Sequence, residues 1–124
     1  MATRNLTKDD FETTVVHNDI VLVDFWAEWC GPCKMFGPIY EDAASQHDDI
    51  VFGKVDTEEQ RELAAHFGIR SIPTLMVFRD QVMVFQQAGA LPRESLESLI
   101  TQVKDLDMDE VRKQIDDHAH DHAH

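Results

Sequence analysis

Apolar residues fall along the chain in two kinds of run, unbroken and periodic, and their alternation predicts the elements. Ile20 to Ala27 is near-continuous, apolar and rich in β-branched and aromatic residues, the pattern of a strand covered on both faces. Ile50 to Val55 repeats that pattern. Thr74 to Phe78 and Val82 to Phe85 are shorter strands on either side of Arg79-Asp80-Gln81. They predict a hairpin whose turn is looser than two residues, because no glycine is there to take positive φ. Helical spacing separates these runs. Thr7-Lys8-Asp9-Asp10 predicts a helix start with Thr7 as N-cap, ahead of Phe11 and Val15. Phe36, Ile39 and Tyr40 place a second helix over Cys33 to Gln46, with Pro38 predicting a kink. Thr57-Glu58-Glu59-Gln60 is a capping signal for a third, which Gly68 ends. Pro92 opens a fourth, striped by Leu96, Leu99, Ile100 and Val103. The order is α, β, α, β, α, β, β, α, an α/β chain with room for a short strand near Asn5 and no internal repeat.

Composition narrows the class. A chain of 124 residues, 43% of them hydrophobic, has room for one self-sufficient core. Its 24 acids against 11 bases give a net charge of −13, a field that repels phosphate backbones and anionic lipid headgroups. Nucleic acid and membrane surfaces are therefore poor partners. No apolar run approaches the length of a membrane span, and Met1 to Asp10 lacks the apolar block of a secretory signal. The expected setting is soluble, reducing and cytoplasmic.

The candidate chemistry lies where the first buried strand hands over to a helix, in Cys30-Gly31-Pro32-Cys33, which holds the only two cysteines. A bridge between them closes so small a loop that it stabilises by only about 2 kcal/mol, so stapling is not their purpose. A thiol at a helix N-terminus faces unpaired N–H groups and the positive end of the dipole, which favour the thiolate. Cys30 is the natural attacker. Cys33, one turn on, is near enough to displace whatever Cys30 captures, the two-step exchange through a mixed disulfide. A zinc site would need a second Cys or His pair, and no second C-x-x-C exists. Inert core thiols are the remaining alternative.

Trp26-Ala27-Glu28-Trp29-Cys30-Gly31-Pro32-Cys33-Lys34 resembles the active-site sequence of the thioredoxin family. Distant segments resemble it too: Val23-Asp24-Phe25 the strand with its buried aspartate, Gly53-Lys54-Val55-Asp56 the strand with its buried lysine. Gly68-Ile69-Arg70-Ser71-Ile72-Pro73-Thr74 resembles the segment of its cis-proline, and Gln87-Ala88-Gly89-Ala90 the end of its substrate groove. The resemblance implies a central mixed sheet of four to five strands with helices on both faces, over residues 1–104. It implies that Asp24 takes the proton of Cys33 through water, that Lys54 tunes the carboxylate, and that the Ile72–Pro73 bond is cis. It further implies that Trp29, Gly31, Pro32, Ile72, Pro73, Gly89 and Ala90 hold an extended client segment. Gly37 before Pro38, where alanine is common, and the Arg79-Asp80-Gln81 turn depart from the family pattern without touching the redox site.

Each match has its own physical reading. Asp24 sits inside an apolar run, where an ionised carboxylate is costly, so its pKa should rise. Trp26 reads as a core aromatic and Trp29 as an exposed loop indole beside the nucleophile. The five glycines are too scattered for a dinucleotide fingerprint, so no nicotinamide or flavin is expected and the redox group is the Cys30–Cys33 pair itself. The resemblance then implies a protein-disulfide reductase, expected monomeric, that acts on disulfide-containing clients and takes electrons from an NADPH-dependent flavoprotein reductase. An oxidase or isomerase on the same fold, and a metal-binding or chaperone-like module with incidental thiols, are the alternatives.

Residues 105–124 lie outside the resemblance: an acidic, His-rich extension. Asp105 to Asp121 holds seven acids against two bases, and Met108, Val111 and Ile115 allow one or two amphipathic turns before a disordered tail. His118, His120, His122 and His124 could chelate Zn, Ni or Cu, but the pattern is more often that of a solvated terminus, so no metal is assigned. His17, His47 and His66 have no ligand-like spacing and read as surface or local-packing residues.

Overall fold

The computed structural model describes residues 2–122, with side chains through Asp117. Five strands, β1 (Thr3–Asn5), β2 (Ile20–Trp26), β3 (Val51–Asp56), β4 (Thr74–Arg79) and β5 (Val82–Ala88), form one sheet in the order β1-β3-β2-β4-β5. β1, β3 and β2 are parallel; β4 and β5 run antiparallel to their neighbours. The helices are α1 (Phe11–Val16), α2 (Gly31–Gln46), α3 (Arg61–His66), α4 (Arg93–Lys104) and α5 (Met108–His122).

The unbroken apolar run of β2 is explained by its central place. Ile20 and Leu22 face a core with Phe36, Tyr40, Leu96 and Ile100 of α2 and α4. Val21, Val23 and Phe25 face a second core with Phe11, Val15 and Leu63 of α1 and α3. Gly53 on β3 has no room for a side chain: a Cβ would run into the buried side chain of Leu6, just beyond β1.

Three local expectations change. The first helical turn does open at Thr7, whose N–H donates to Asp10 Oδ1 at 2.6 Å and whose carbonyl accepts from Phe11 at 3.0 Å, but regular α-helix starts only at Phe11. Thr57 does not cap α3; its N–H and hydroxyl both donate to the Trp26 carbonyl, at 2.9 and 3.1 Å, and tie β3's end to β2's. The β4–β5 turn is a tight two-residue turn, since Arg79 pairs with Val82. Asp80 and Gln81 take φ of 51° and 71° without glycine. Tertiary ties hold Asp80 there: its N–H donates to the Asp19 carbonyl at 2.8 Å, and its carboxylate faces Arg112 at 3.4 Å.

The extension is one continuous helix to His122, longer than the one or two turns expected. Its first half is seated by buried Met108 and by the Arg112–Asp80 pair. Arg79 locks the junction: its Nη1 donates to the carbonyls of Val103, Lys104 and Leu106 at 2.6, 3.2 and 3.3 Å, at and just beyond the end of α4. Chelation by the tail histidines falls outside the residues whose side chains are described. Replacing Arg79 by Ala should lower stability by about 2 kcal/mol, the scale of a charged group's hydrogen bonds. Denaturant unfolding measures the loss, and faster amide exchange at residues 106 to 108 should locate it.

Candidate active site

Strand β2 ends at Trp26, and the chain turns through Ala27 to Trp29 before α2 begins at Gly31. Cys30 is the N-cap of α2, with extended backbone, and its sulfur accepts the Cys33 N–H at 3.2 Å. Pro32 suits the first turn, where its missing N–H costs no helical hydrogen bond. The two cysteines are bonded to each other, with Cα atoms 5.2 Å apart, and are only 4% and 5% exposed. In the reduced form, helix polarity and the Cys33 N–H would both stabilise negative charge on the Cys30 sulfur.

A second chain segment completes the rim. The Ile72–Pro73 peptide bond is cis, as the resemblance implied, and the Ile72 carbonyl oxygen lies 3.6 Å from the Cys30 sulfur. Gly89 donates its N–H to the Pro73 carbonyl at 2.8 Å, has φ of 106°, and faces open space where a Cβ would stand; Ala90 beside it is exposed. The Ile72 carbonyl thus reaches the sulfur that precedes Gly31 and Pro32, and Gly89 is tied to the same segment through Pro73.

Beneath the dithiol, Asp24 sits on β2 opposite Lys54 of β3 in register, on the sheet face covered by α2 and α4. Asp24 is 1% exposed, and neither carboxylate oxygen has a hydrogen-bond partner among the described residues. Burial pushes its pKa up to about 7, against the opposing pull of Lys54. Nearby Tyr40, fully buried with its hydroxyl donating to the Gly53 carbonyl at 2.8 Å, is driven well above its usual range by burial and then by Asp24. Lys54 does not pair directly with Asp24. Its Nζ stands 4.8 Å over the Trp26 ring, a cation–π contact. Lys54, Trp26, Cys33, Gly37, Pro38 and Glu41 line one cleft of about 420 Å³, through which solvent reaches the Cys33 side of the site.

Trp29 is 69% exposed, in contrast to half-buried Trp26, which packs against Cys30 and Cys33. Its indole N–H donates to Glu58 Oε1 at 2.8 Å, while Arg61 Nη2 holds the other oxygen at 3.1 Å. The bond from Trp29, supported by Arg61, keeps the Glu58 carboxyl below its usual range. The sequence reading missed this brace, assigning Glu58 to a helix cap. Residues 29 positions apart carry no joint signal until β2 and β3 are paired. Met35, 71% exposed on α2 one turn after Gly31 and Pro32, is a second apolar group at the rim that periodicity alone did not single out. A larger cavity, about 690 Å³ between α1 and α3, is lined by neither cysteine. Among the described residues no group of three or more His, Cys, Asp or Glu is placed to hold a metal.

Comparison with known proteins agrees with this geometry. The family model described as thioredoxin matches residues 2–102. A Streptomyces coelicolor protein named "Putative thioredoxin 2" is 62% identical over 114 residues, 92% of this chain and 85% of the relative. That span does not fit into residues 1–104, so the likeness runs into α5. A thioredoxin of Alicyclobacillus acidocaldarius is 42% identical over 103 residues, 82% of this chain and 98% of its own. Among solved structures, Plasmodium falciparum thioredoxin superposes with a TM-score of 0.75 at 36% identity, covering 81% of this chain and 98% of its own. A variant thioredoxin of Halobacterium salinarum does so with 0.78 at 34% identity, over 85% and 94%. A family model along most of the chain, and relatives matched over most of their own length, lead to one conclusion: the chain belongs to the thioredoxin family.

Proposed function

We propose that this thioredoxin-family thiol-disulfide oxidoreductase works as a reductase of accessible disulfides in client proteins, with Cys30 as nucleophile and Cys33 as resolving thiol. The observation that carries this is the placement of the Cys30 sulfur at the cap of α2, within 3.6 Å of the Ile72 carbonyl and in reach of the Cys33 N–H. In the reduced protein the Cys30 thiolate attacks one client sulfur, and the other client sulfur leaves as thiolate and takes a proton. Cys33 then gives its proton to Asp24 through water and attacks the Cys30 sulfur. The client's first sulfur leaves, and two electrons have passed from the dithiol to the client. The couple resides in the two sulfurs, so the step needs no bound cofactor.

A client segment would lie extended along Ile72, with main-chain pairing to the edge before Pro73, between the Trp29 indole and the open backbone at Gly89 and Ala90, with Gly31 and Pro32 beneath. Lys54 would lower the cost of charge on Asp24 from across the strand pair. Electrons would return from an NADPH-dependent flavoprotein reductase, in keeping with the family. No helix of the described residues is long and apolar enough to cross a membrane, and the reading places the protein in a reducing cytoplasm as a monomeric electron carrier.

Changing Cys33 to Ser should leave the first attack intact and accumulate clients as stable mixed disulfides, whereas Cys30→Ser should capture nothing and abolish insulin reduction. Non-reducing gels of a lysate passed over each variant read this directly. Trapping by Cys30→Ser alone reverses the two roles.

Asp24 sets function against stability. Its folded pKa stands above the unfolded value, so the folded state holds the extra proton more tightly. Stability is then greatest below the unfolded pKa of 3.8 and is lost as pH rises from there through about 7. At 1.36 kcal/mol per pKa unit the cost at neutral pH is on the order of 4 kcal/mol. Asp24→Ala should therefore stabilise the protein at pH 7 by about 3 kcal/mol, the small cavity it leaves offsetting part of the gain. The difference should shrink as pH falls toward 4, while decay of the mixed disulfide in stopped flow slows at least about tenfold. Native-rate decay in this variant would remove Asp24 from the proton path.

A further inference from the structure

The loop that faces Trp29 is held more firmly than its exposure requires. Trp29 is 69% exposed, so packing does little to fix its indole, which is anchored by the Nε1–H bond to Glu58 Oε1 at 2.8 Å. Glu58 is in turn held at three further points. Arg61 Nη2 donates to Glu58 Oε2 at 3.1 Å, Arg61 Nε donates to the Glu58 carbonyl at 3.2 Å, and the Glu58 N–H donates to Asp56 Oδ1 at 2.9 Å. One guanidinium thus grips Glu58 by side chain and main chain at once, from the first residue of α3.

Stability does not explain the arrangement. The Arg61 and Glu58 side chains are 81% and 48% exposed, and an ion pair so open to water contributes little, because solvent screens it and two long side chains lose freedom in making it. Its effect is on position. A carboxylate bonded to the indole alone could swing about its own side-chain bonds and carry Trp29 with it. The planar guanidinium fork removes that freedom, since its two nitrogens meet two parts of the same residue. An aromatic side chain already fixed in place loses less freedom when a partner covers it, and tryptophan is among the residues that most often dominate such contacts.

We propose that Arg61 is a positioning residue for polypeptide clients: acting through Glu58, it holds the Trp29 indole in place as one wall of the client groove and favours disulfides carried on an extended chain over low-molecular-weight disulfides. The inference rests on the reductase function proposed above and names the substrate class that the rim selects. An extended segment along Ile72 also meets Trp29 and gains from an indole fixed beforehand. A small disulfide meets little beyond the Cys30 sulfur and gains nothing from it.

Pre-reduced full-length protein, freed of reductant, is mixed in stopped flow with excess insulin or excess 2-hydroxyethyl disulfide, as wild type, Arg61→Ala and Arg61→Lys. The ratio of the insulin to the small-disulfide rate constant should fall about fivefold in Arg61→Ala, through weaker saturation by insulin and not through the limiting rate. Arg61→Lys keeps the charge but not the two-nitrogen hold and should lose nearly as much. In Trp29→Phe, which has no indole N–H, adding Arg61→Ala should change the ratio less than about 1.5-fold, the non-additivity of residues that act through one another. The indole N–H cross-peak of Trp29 in ¹H–¹⁵N spectra should shift and exchange faster with water in Arg61→Ala. An unchanged ratio, wild-type behaviour of Arg61→Lys, a full effect of Arg61→Ala without the Trp29 indole, or a stationary Trp29 cross-peak each overturns the proposal while leaving the reductase function standing. Wild type that reduces neither disulfide overturns the reductase function, and the role of Arg61 falls with it.

Discussion

Covering β2 on both faces is the constraint on which the rest depends. Val21, Leu22, Val23 and Phe25 are fully buried between two helical layers, so the strand cannot slip along its neighbours without unpacking both cores at once. The dithiol is carried just beyond its end. The turn after Trp26 delivers Cys30 to the N-cap of α2, and Thr57 grips the Trp26 carbonyl from the end of the neighbouring strand, so Cys30 starts from a rigid point.

The same burial creates the electrostatic tension of the site. A strand buried on both sides has no wet position, yet Asp24 stands in it with two oxygens that find no partner among the described residues. An apolar residue there would make a more stable protein. Burial raises the carboxyl's pKa to about 7, and on the proposed mechanism a group with such a pKa both accepts and releases a proton readily. Lys54, across the ladder, pulls that pKa back down, and its ammonium stands over the Trp26 ring.

The outer rim is assembled differently, from loops braced by side chains. Trp29 is exposed yet held: Glu58 fixes its indole N–H and Arg61 fixes Glu58. At the far end of the sheet a comparable device, Arg79 with its three carbonyl oxygens, joins α4 to α5 and lets the chain continue as a seated helix past the family domain.

Much of this was legible in the residues. Unbroken apolar runs announced β2 and β3, since only a strand buried on both faces has no polar alternation, and the dithiol's place at a strand-to-helix junction followed from Gly31-Pro32 after such a run. Asp24 stood out because a carboxylate among Val, Leu and Phe has a cost that pattern alone reveals. Local sequence could not decide matters settled between distant segments. Thr57 looked like a helix cap because its alternative partner, the Trp26 carbonyl, lies 31 residues away. Asp80 and Gln81 looked unfit for a tight turn because the contacts that hold Asp80 at positive φ, from Asp19 and Arg112, come from elsewhere in the chain. Hydrophobic period and capping propensity are properties of a few neighbouring residues and belong to the sequence by itself. Which donor meets which acceptor is decided by strand order and register, and those exist only once the sheet has closed around β2.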